Sequence, residues 1–194
     1  MNVILASNSP RRAALLRQMG VSFIVAPSNL EESQPLQPYR KWVQELAKLK
    51  AAAVKEESPD GVILAADTMV LLKDLVLGKP RDDQEAKEML LSLSGRVHQV
   101  MTGICVLNSQ TEEIFQDVEM TQVYFRILTE REIESYVASG EPQDKAGAYG
   151  IQGLGGLFVE RIVGCYYNVM GLPLVKTMRL LRKSGVTVLG ETRG

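Results

Sequence analysis

Apolar and polar positions along the chain fall into blocks whose period switches between two and about 3.6 residues, the mark of alternating strands and helices. Asn2 to Ala6 is a short apolar run, read as a buried strand. It feeds a helix with Ser9 as N-cap, Pro10 at the first helical position, Leu15, Leu16 and Met19 as its apolar stripe, and Gly20 as its stop. Val21 to Ala26 reads as the next strand, completing β-loop-α-β. A turn-rich segment from Pro27 to Pro38 leads into a helix from Pro38 to Glu57, with Val43, Leu46, Ala47, Ala53 and Val54 on one face. Gly61 to Ala66 predicts an apolar strand that stops at Asp67-Thr68; Met69 to Leu72 and Leu75 to Leu77 then form a hairpin ending in Gly78-Lys79-Pro80.

The second half continues in the same manner. Asp83 to Leu93 is a helix with Ala86, Met89, Leu90 and Leu93 inward, and His98 to Leu107 and Glu113 to Leu128 are two long strands. Thr129 and Glu132 form a capping box for a helix to about Ala138. Ser139 to Gly156 carries six glycines with Glu141, Asp144, Lys145, Tyr149 and Gln152 among them. Such a loop brings its backbone close to another group while a few polar side chains point at it. Leu157 to Val163 reads as a strand, Cys165 to Met170 as an apolar segment, Gly171-Leu172-Pro173 as the opening of a final helix to about Lys183, and Val186 to Leu189 as a last strand. Strands and helices in this order suit one α/β domain over residues 1–190, with 191–194 a disordered tail.

Composition narrows the function classes. A chain of 194 residues with 45% hydrophobic and 23% charged content is ordinary for a globular protein. Its net charge of −1 argues against a broad basic surface for long nucleic acid, though a small polyanion fits one local basic cleft. Cys105 and Cys165 lie far apart in apolar stretches, as free thiols do in a reducing compartment. The start MNVILASNSPRR resembles no signal segment and no apolar run reaches membrane-spanning length, so a cytoplasmic location without membrane attachment is expected.

Candidate chemistry resides where local rules are broken. Arg11 and Arg12 place two cations in the first turn of a helix, where the dipole already presents positive charge. A phosphate held by the free N–H groups and the guanidinium forks would reverse that penalty; two solvated arginines are the alternative, and the sequence leaves both open. Asp67, at the end of a buried strand, is either a site carboxylate or a turn cap. Glu31 and Glu32 sit in a polar loop. His98 is the only histidine and reads as a hydrogen-bonded structural group. If Ser7 to Arg12, Glu31-Glu32, Asp67-Thr68 with Lys79, and Asp144 to Gln152 converge, carboxylates would face a polyphosphate, which implies Mg²⁺ or Mn²⁺ between them. That set suits phosphoryl or nucleotidyl transfer to water, and the absence of GxxxxGK[ST] argues against a P-loop enzyme.

Five separated motifs, LASNSPRR, AADT with GKP, SGRVHQVMTG, GEPQDKAGAYGIQG and YYNVMGLPL, run in order over nearly the whole chain and resemble the Maf family of nucleoside triphosphate pyrophosphatases. The resemblance implies a mixed α/β fold similar to that of the inosine triphosphatases, with two lobes flanking a cleft. It implies a homodimer, and hydrolysis of a nucleoside triphosphate to monophosphate and pyrophosphate with a divalent metal. By position it assigns Asp67 as proton acceptor, Arg11, Arg12, Lys79 and Lys145 to phosphates, Glu32 (or its neighbour Glu31) to metal or water, and Arg11, Thr68 and Gln152 to base choice. The form GAYGIQGLGG resembles the branch acting on dTTP and UTP; a glutamine amide offers a donor and an acceptor to such an edge. Ala65 departs from the glycine of many members, and Asn29 from a more acidic loop. Association of the family with septation supplies the rival reading, a nucleotide-binding regulator of cell division without essential catalysis.

Overall fold

The structure is a computed structural model that describes residues 2–28, 30, 35–57 and 60–190. Its helices and strands follow in the order β1 (Asn2–Leu5), α1 (Pro10–Gln18), β2 (Phe23–Val25), α2 (Tyr39–Lys55), β3 (Gly61–Leu72), β4 (Leu75–Leu77), α3 (Asp83–Leu93), β5 (Val97–Asn108), β6 (Ile114–Phe125), α4 (Glu130–Ala138), β7 (Val159–Val163), α5 (Tyr166–Val169) and α6 (Leu174–Lys183). The fold is mixed α/β. Seven strands form one sheet in the order β2-β1-β3-β5-β6-β7, with β4 paired to β3. β1 is parallel to both β2 and β3, whereas β3/β4 and β6/β7 are antiparallel.

Contacts divide the chain into two compact units. The first comprises residues 1–67, 102–119 and 171–194, the second 68–101 and 120–170. The first unit packs α2 on the parallel strands: Ala47, Ala51 and Val54 meet Ile4, Ile63, Ala65, Cys105 and Leu107. Gly103 lets α2 come close, because a Cβ there would overlap the Val43 carbonyl. In the second unit α3 and α4 bury Ala86, Leu90, Leu93, Ile133 and Val137 with an aromatic group of Phe125, Tyr136, Tyr149 and Phe158. The rings meet edge to face, Phe125 with Tyr149 at 4.7 Å and Tyr136 with Phe158 at 4.9 Å between centroids, the arrangement ring quadrupoles favour.

Four expectations are corrected. β3 does not stop at Asp67 but runs through it to Leu72, because Asp67 finds a charged partner inside the fold and the strand need not break to expose it. On α2 the buried face includes Lys50 and Ala51, and Ala53 is exposed. The loop after α4 is built of three 3-10 turns, Glu141–Asp144, Ala146–Ala148 and Leu154–Phe158, the last of which delays β7 to Val159. Val186 to Leu189 forms no strand beyond a single bridge at Val188; Arg182 holds the Val188 carbonyl instead. The tail at 191–194 and the Glu31-Glu32 pair lie outside the described residues.

Candidate functional site

In the first unit β1 and β3 run parallel, with Leu5 opposite Leu64, and the Ala6 N–H donates to the Leu64 carbonyl at 2.8 Å. The chain beyond β1 (Ser7 to Arg12) and Asp67 therefore both lie past the carboxyl end of this parallel pair, where α/β sheets collect ligands. The turn is self-supporting. The Ser9 side chain caps α1 by accepting the Arg12 N–H at 3.4 Å, and Ser7 Oγ accepts the Ser9 N–H at 3.2 Å. Arg12 is no loosely solvated cation: its Nε donates to the Gly171 carbonyl at 2.9 Å and its Nη1 to Ser7 Oγ at 3.2 Å. Arg11 is half-buried on the same turn, and no acidic residue stands in the first turn of α1. Two guanidinium groups at a helix N-terminus make a place for an anion.

Asp67 is buried, and Lys50 Nζ donates to its Oδ1 at 2.6 Å, with 11% of each side chain exposed. Lys50 was not among the residues singled out from sequence, although a signal existed. It sits three residues after Ala47 and four before Val54, inside the apolar stripe of α2, and a lysine in such a stripe has to bring a partner with it. The ammonium fixes the orientation of the carboxylate through Oδ1.

In the second unit the predicted residues occupy adjoining loops. The Gly147 N–H donates to the Gly78 carbonyl at 3.0 Å, so the loop carrying Lys145 runs beside the one carrying exposed Lys79. Gly147 has φ +72° and a Cβ there would press on Val70 at 3.0 Å, which ties the same loop to the part of β3 that follows half-buried Thr68. Lys145 Nζ donates to the Glu141 carbonyl and to Asp144 Oδ1, each at 2.6 Å. Gln152 is exposed at the crest of the turn from Gly150 to Gly156. What the glycines of this loop approach is protein. A Cβ at Gly153 would collide with the Glu141 carboxylate, one at Gly150 with Lys145 Cε at 2.7 Å, and one at Gly155 with the Tyr136 hydroxyl at 2.8 Å.

His98 is structural, as expected. Its Nε2 lies 2.8 Å from the Tyr149 hydroxyl, its ring meets Phe125 edge to face at 4.9 Å, and burial lowers its pKa to about 4. Both cysteines are free, and burial pushes the Cys105 thiol up to about 12.

The donor set fits a divalent cation held chiefly by phosphate. Mg²⁺ is bound by one or two carboxylates with substrate oxygens and water, not by an all-protein cage. Among the described residues no group of three His, Cys, Asp or Glu side chains forms such a cage. Glu32, the other acidic residue assigned by resemblance, lies outside the described residues. Among the described residues no helix is long and apolar enough to cross a membrane.

Comparison with known proteins agrees with the motifs. A dTTP/UTP pyrophosphatase of Clostridium perfringens is 47% identical over 192 residues, covering 97% of this chain and 100% of that protein. One of Halalkalibacterium halodurans is 50% identical over 184 residues, covering 94% and 96% respectively. Among solved structures, a nucleoside-triphosphatase / dITP/XTP pyrophosphatase of Mycobacterium abscessus has a TM-score of 0.49 at 15% identity, covering 64% of this chain and 74% of that one. The family described as Maf-like protein matches residues 2–184, and the chain belongs to it.

Proposed function

We propose that this protein hydrolyses dTTP and UTP to the nucleoside monophosphate and pyrophosphate. The observation that carries the reading is the buried Lys50–Asp67 pair, set past the end of the β1/β3 parallel pairing as the Arg11-Arg12 turn is. A module that only bound a polyanion would gain nothing from a carboxylate there. The names of the relatives from C. perfringens and H. halodurans support the substrate class.

In this mechanism the N–H groups at the start of α1 and the guanidinium groups of Arg11 and Arg12 bind phosphate oxygens, and the family resemblance assigns Lys79 and Lys145 to phosphate as well. Asp67, aimed by Lys50, takes the proton of the attacking water. The water oxygen bonds to the α phosphorus, the bond from that phosphorus to the bridging oxygen breaks, and pyrophosphate leaves. Arg11, Thr68 and Gln152 choose the base, the Gln152 amide matching the donor and acceptor edge of uracil or thymine. A divalent cation, Mg²⁺ or Mn²⁺, held by Glu32 or its neighbour Glu31, would neutralise charge on the departing pyrophosphate. We also assign a homodimer, on the family resemblance, and a cytoplasmic location, on the two free cysteines.

The test is product analysis with Mg²⁺ and a panel of dTTP, UTP, CTP, GTP and 7-methyl-GTP, scoring pyrophosphate against orthophosphate. Pyrophosphate from dTTP and UTP is expected, with kcat reduced at least about 10²-fold in Asp67→Asn, the scale of lost general-base catalysis. No turnover of any triphosphate with either metal would sink the reading.

A further inference from the structure

The second unit devotes the half-buried carboxylate of Glu141 to the glycine turn that carries Gln152. Glu141 follows Gly140 (φ +74°) directly after α4, a helix fixed at its start by the Thr129/Glu132 capping box and at its end by Ser139 and Gly140 N–H groups bonded to Tyr136 and Val137. Its own N–H donates to Ser139 Oγ at 3.3 Å. From that anchored position the side chain crosses to the glycine turn. Oε2 accepts the Leu154 N–H at 2.9 Å; Oε1 accepts the Gly155 N–H at 3.2 Å and the Tyr136 hydroxyl at 2.9 Å. The Tyr136 oxygen in turn accepts the Gly150 N–H at 3.1 Å.

We propose that Glu141, with Tyr136, is the positioning residue that presents Gln152 to the base. The turn is gripped at Gly150 on one side and at Leu154-Gly155 on the other, and exposed Gln152 is the crest between the two grips. Glycine segments have the largest backbone freedom, so an untethered turn would lose that freedom each time a nucleotide bound. Bonds to a carboxylate are stronger than neutral ones, and three of them meet on one side chain here. The glycines are needed because the carboxylate and the phenol stand where side chains at Gly153 and Gly155 would be. The proposal rests on the reading that Gln152 meets the base; it adds that the discrimination depends on a residue that touches no substrate.

The test is a double-mutant cycle on UTP hydrolysis with Glu141→Gln and Gln152→Ala, accompanied by thermal unfolding of each variant. Glu141→Gln keeps the shape but turns an acceptor into a donor facing an N–H or the phenol. It is expected to raise KM for UTP about tenfold with kcat within about twofold, because the loop and not the reacting phosphate is released. Gln152→Ala is expected to raise KM comparably, and the double variant to be no worse than the poorer single one. Tyr136→Phe, which removes only the phenol link, gives a smaller rise in the same direction and keeps the test alive if Glu141→Gln fails to fold. Additive effects in the cycle, or normal KM in both Glu141→Gln and Tyr136→Phe while Gln152→Ala is impaired, would overturn the positioning role and leave the base reading standing. Normal KM and normal substrate choice in Gln152→Ala would overturn the base reading, and this role with it.

Discussion

Replacing Lys50 by methionine tests the ion pair at the centre of the proposed site. Lys50 Nζ and Asp67 Oδ1 are 2.6 Å apart and 11% of each side chain is exposed, so water does little to screen either charge. Methionine fills the space of the lysine stem but leaves the carboxylate facing an apolar helix. Removing one member of such a pair costs about 3–5 kcal/mol, because the survivor keeps its desolvation penalty and loses its partner. For a protein of this length each kcal/mol lowers Tm by about 2–4 °C, so Lys50→Met should melt roughly 6–20 °C below the parent. Trp42, the only tryptophan, lies on the same helix and gives a local fluorescence signal for the transition. The double variant Lys50→Met/Asp67→Asn removes both charges and should regain at least half of that loss, while kcat stays reduced by about 10²-fold or more. Stability and activity thus separate in one pair of proteins. A Lys50→Met variant that melts within about 1 °C of the parent, or a double variant less stable than the single one, would refute the pairing argument.

Arg12→Lys should raise KM for nucleotide about tenfold or more, because an ammonium cannot replace the fork that bonds both Gly171 and Ser7; steady-state kinetics with UTP checks it. Folded His98 has its pKa lowered from 6.5 to about 4 by burial, so between these pH values the unfolded chain binds a proton that the folded chain refuses. Stability should therefore fall by about 3 kcal/mol as pH drops from 6.5 through 4 and level off below; urea titrations across that range should show the decline, and His98→Phe should flatten it. Gly103→Ala should destabilise by about 1–3 kcal/mol through overpacking against the Val43 carbonyl, read by the same titrations.

Much of the fold was legible because helix and strand ends are written locally. Ser9-Pro10 and Thr129 with Glu132 start α1 and α4 where their caps predict. Candidates for the site stood out as well: Arg12 and Asp67 are polar residues at the margins of apolar runs, and the resemblance adds Lys79, Lys145 and Gln152. What sequence could not supply was pairing. Lys50 looks like one more charge on a charged helix until Asp67 is found opposite it, and the same missing partner made β3 seem to break at Asp67-Thr68. The glycines after Tyr149 showed that something came close but not what; only packing reveals Glu141 and Tyr136 as the neighbours. The exposed Ala53 and buried Ala51 differ by about half a helical turn, a distinction that alternates with slight changes in helix phase.

The two cysteines give the protein a built-in clock. Cys105 is sealed in the core of the first unit with its thiol pushed up to about 12, whereas Cys165 is partly accessible in the second. Alkylating reagents attack the thiolate, so Cys165 should be consumed first and Cys105 only as often as the packing between α2 and the sheet comes apart. The ratio of the two labelling rates, followed by intact mass, would time how often one half of the molecule breathes, without a probe having to be introduced.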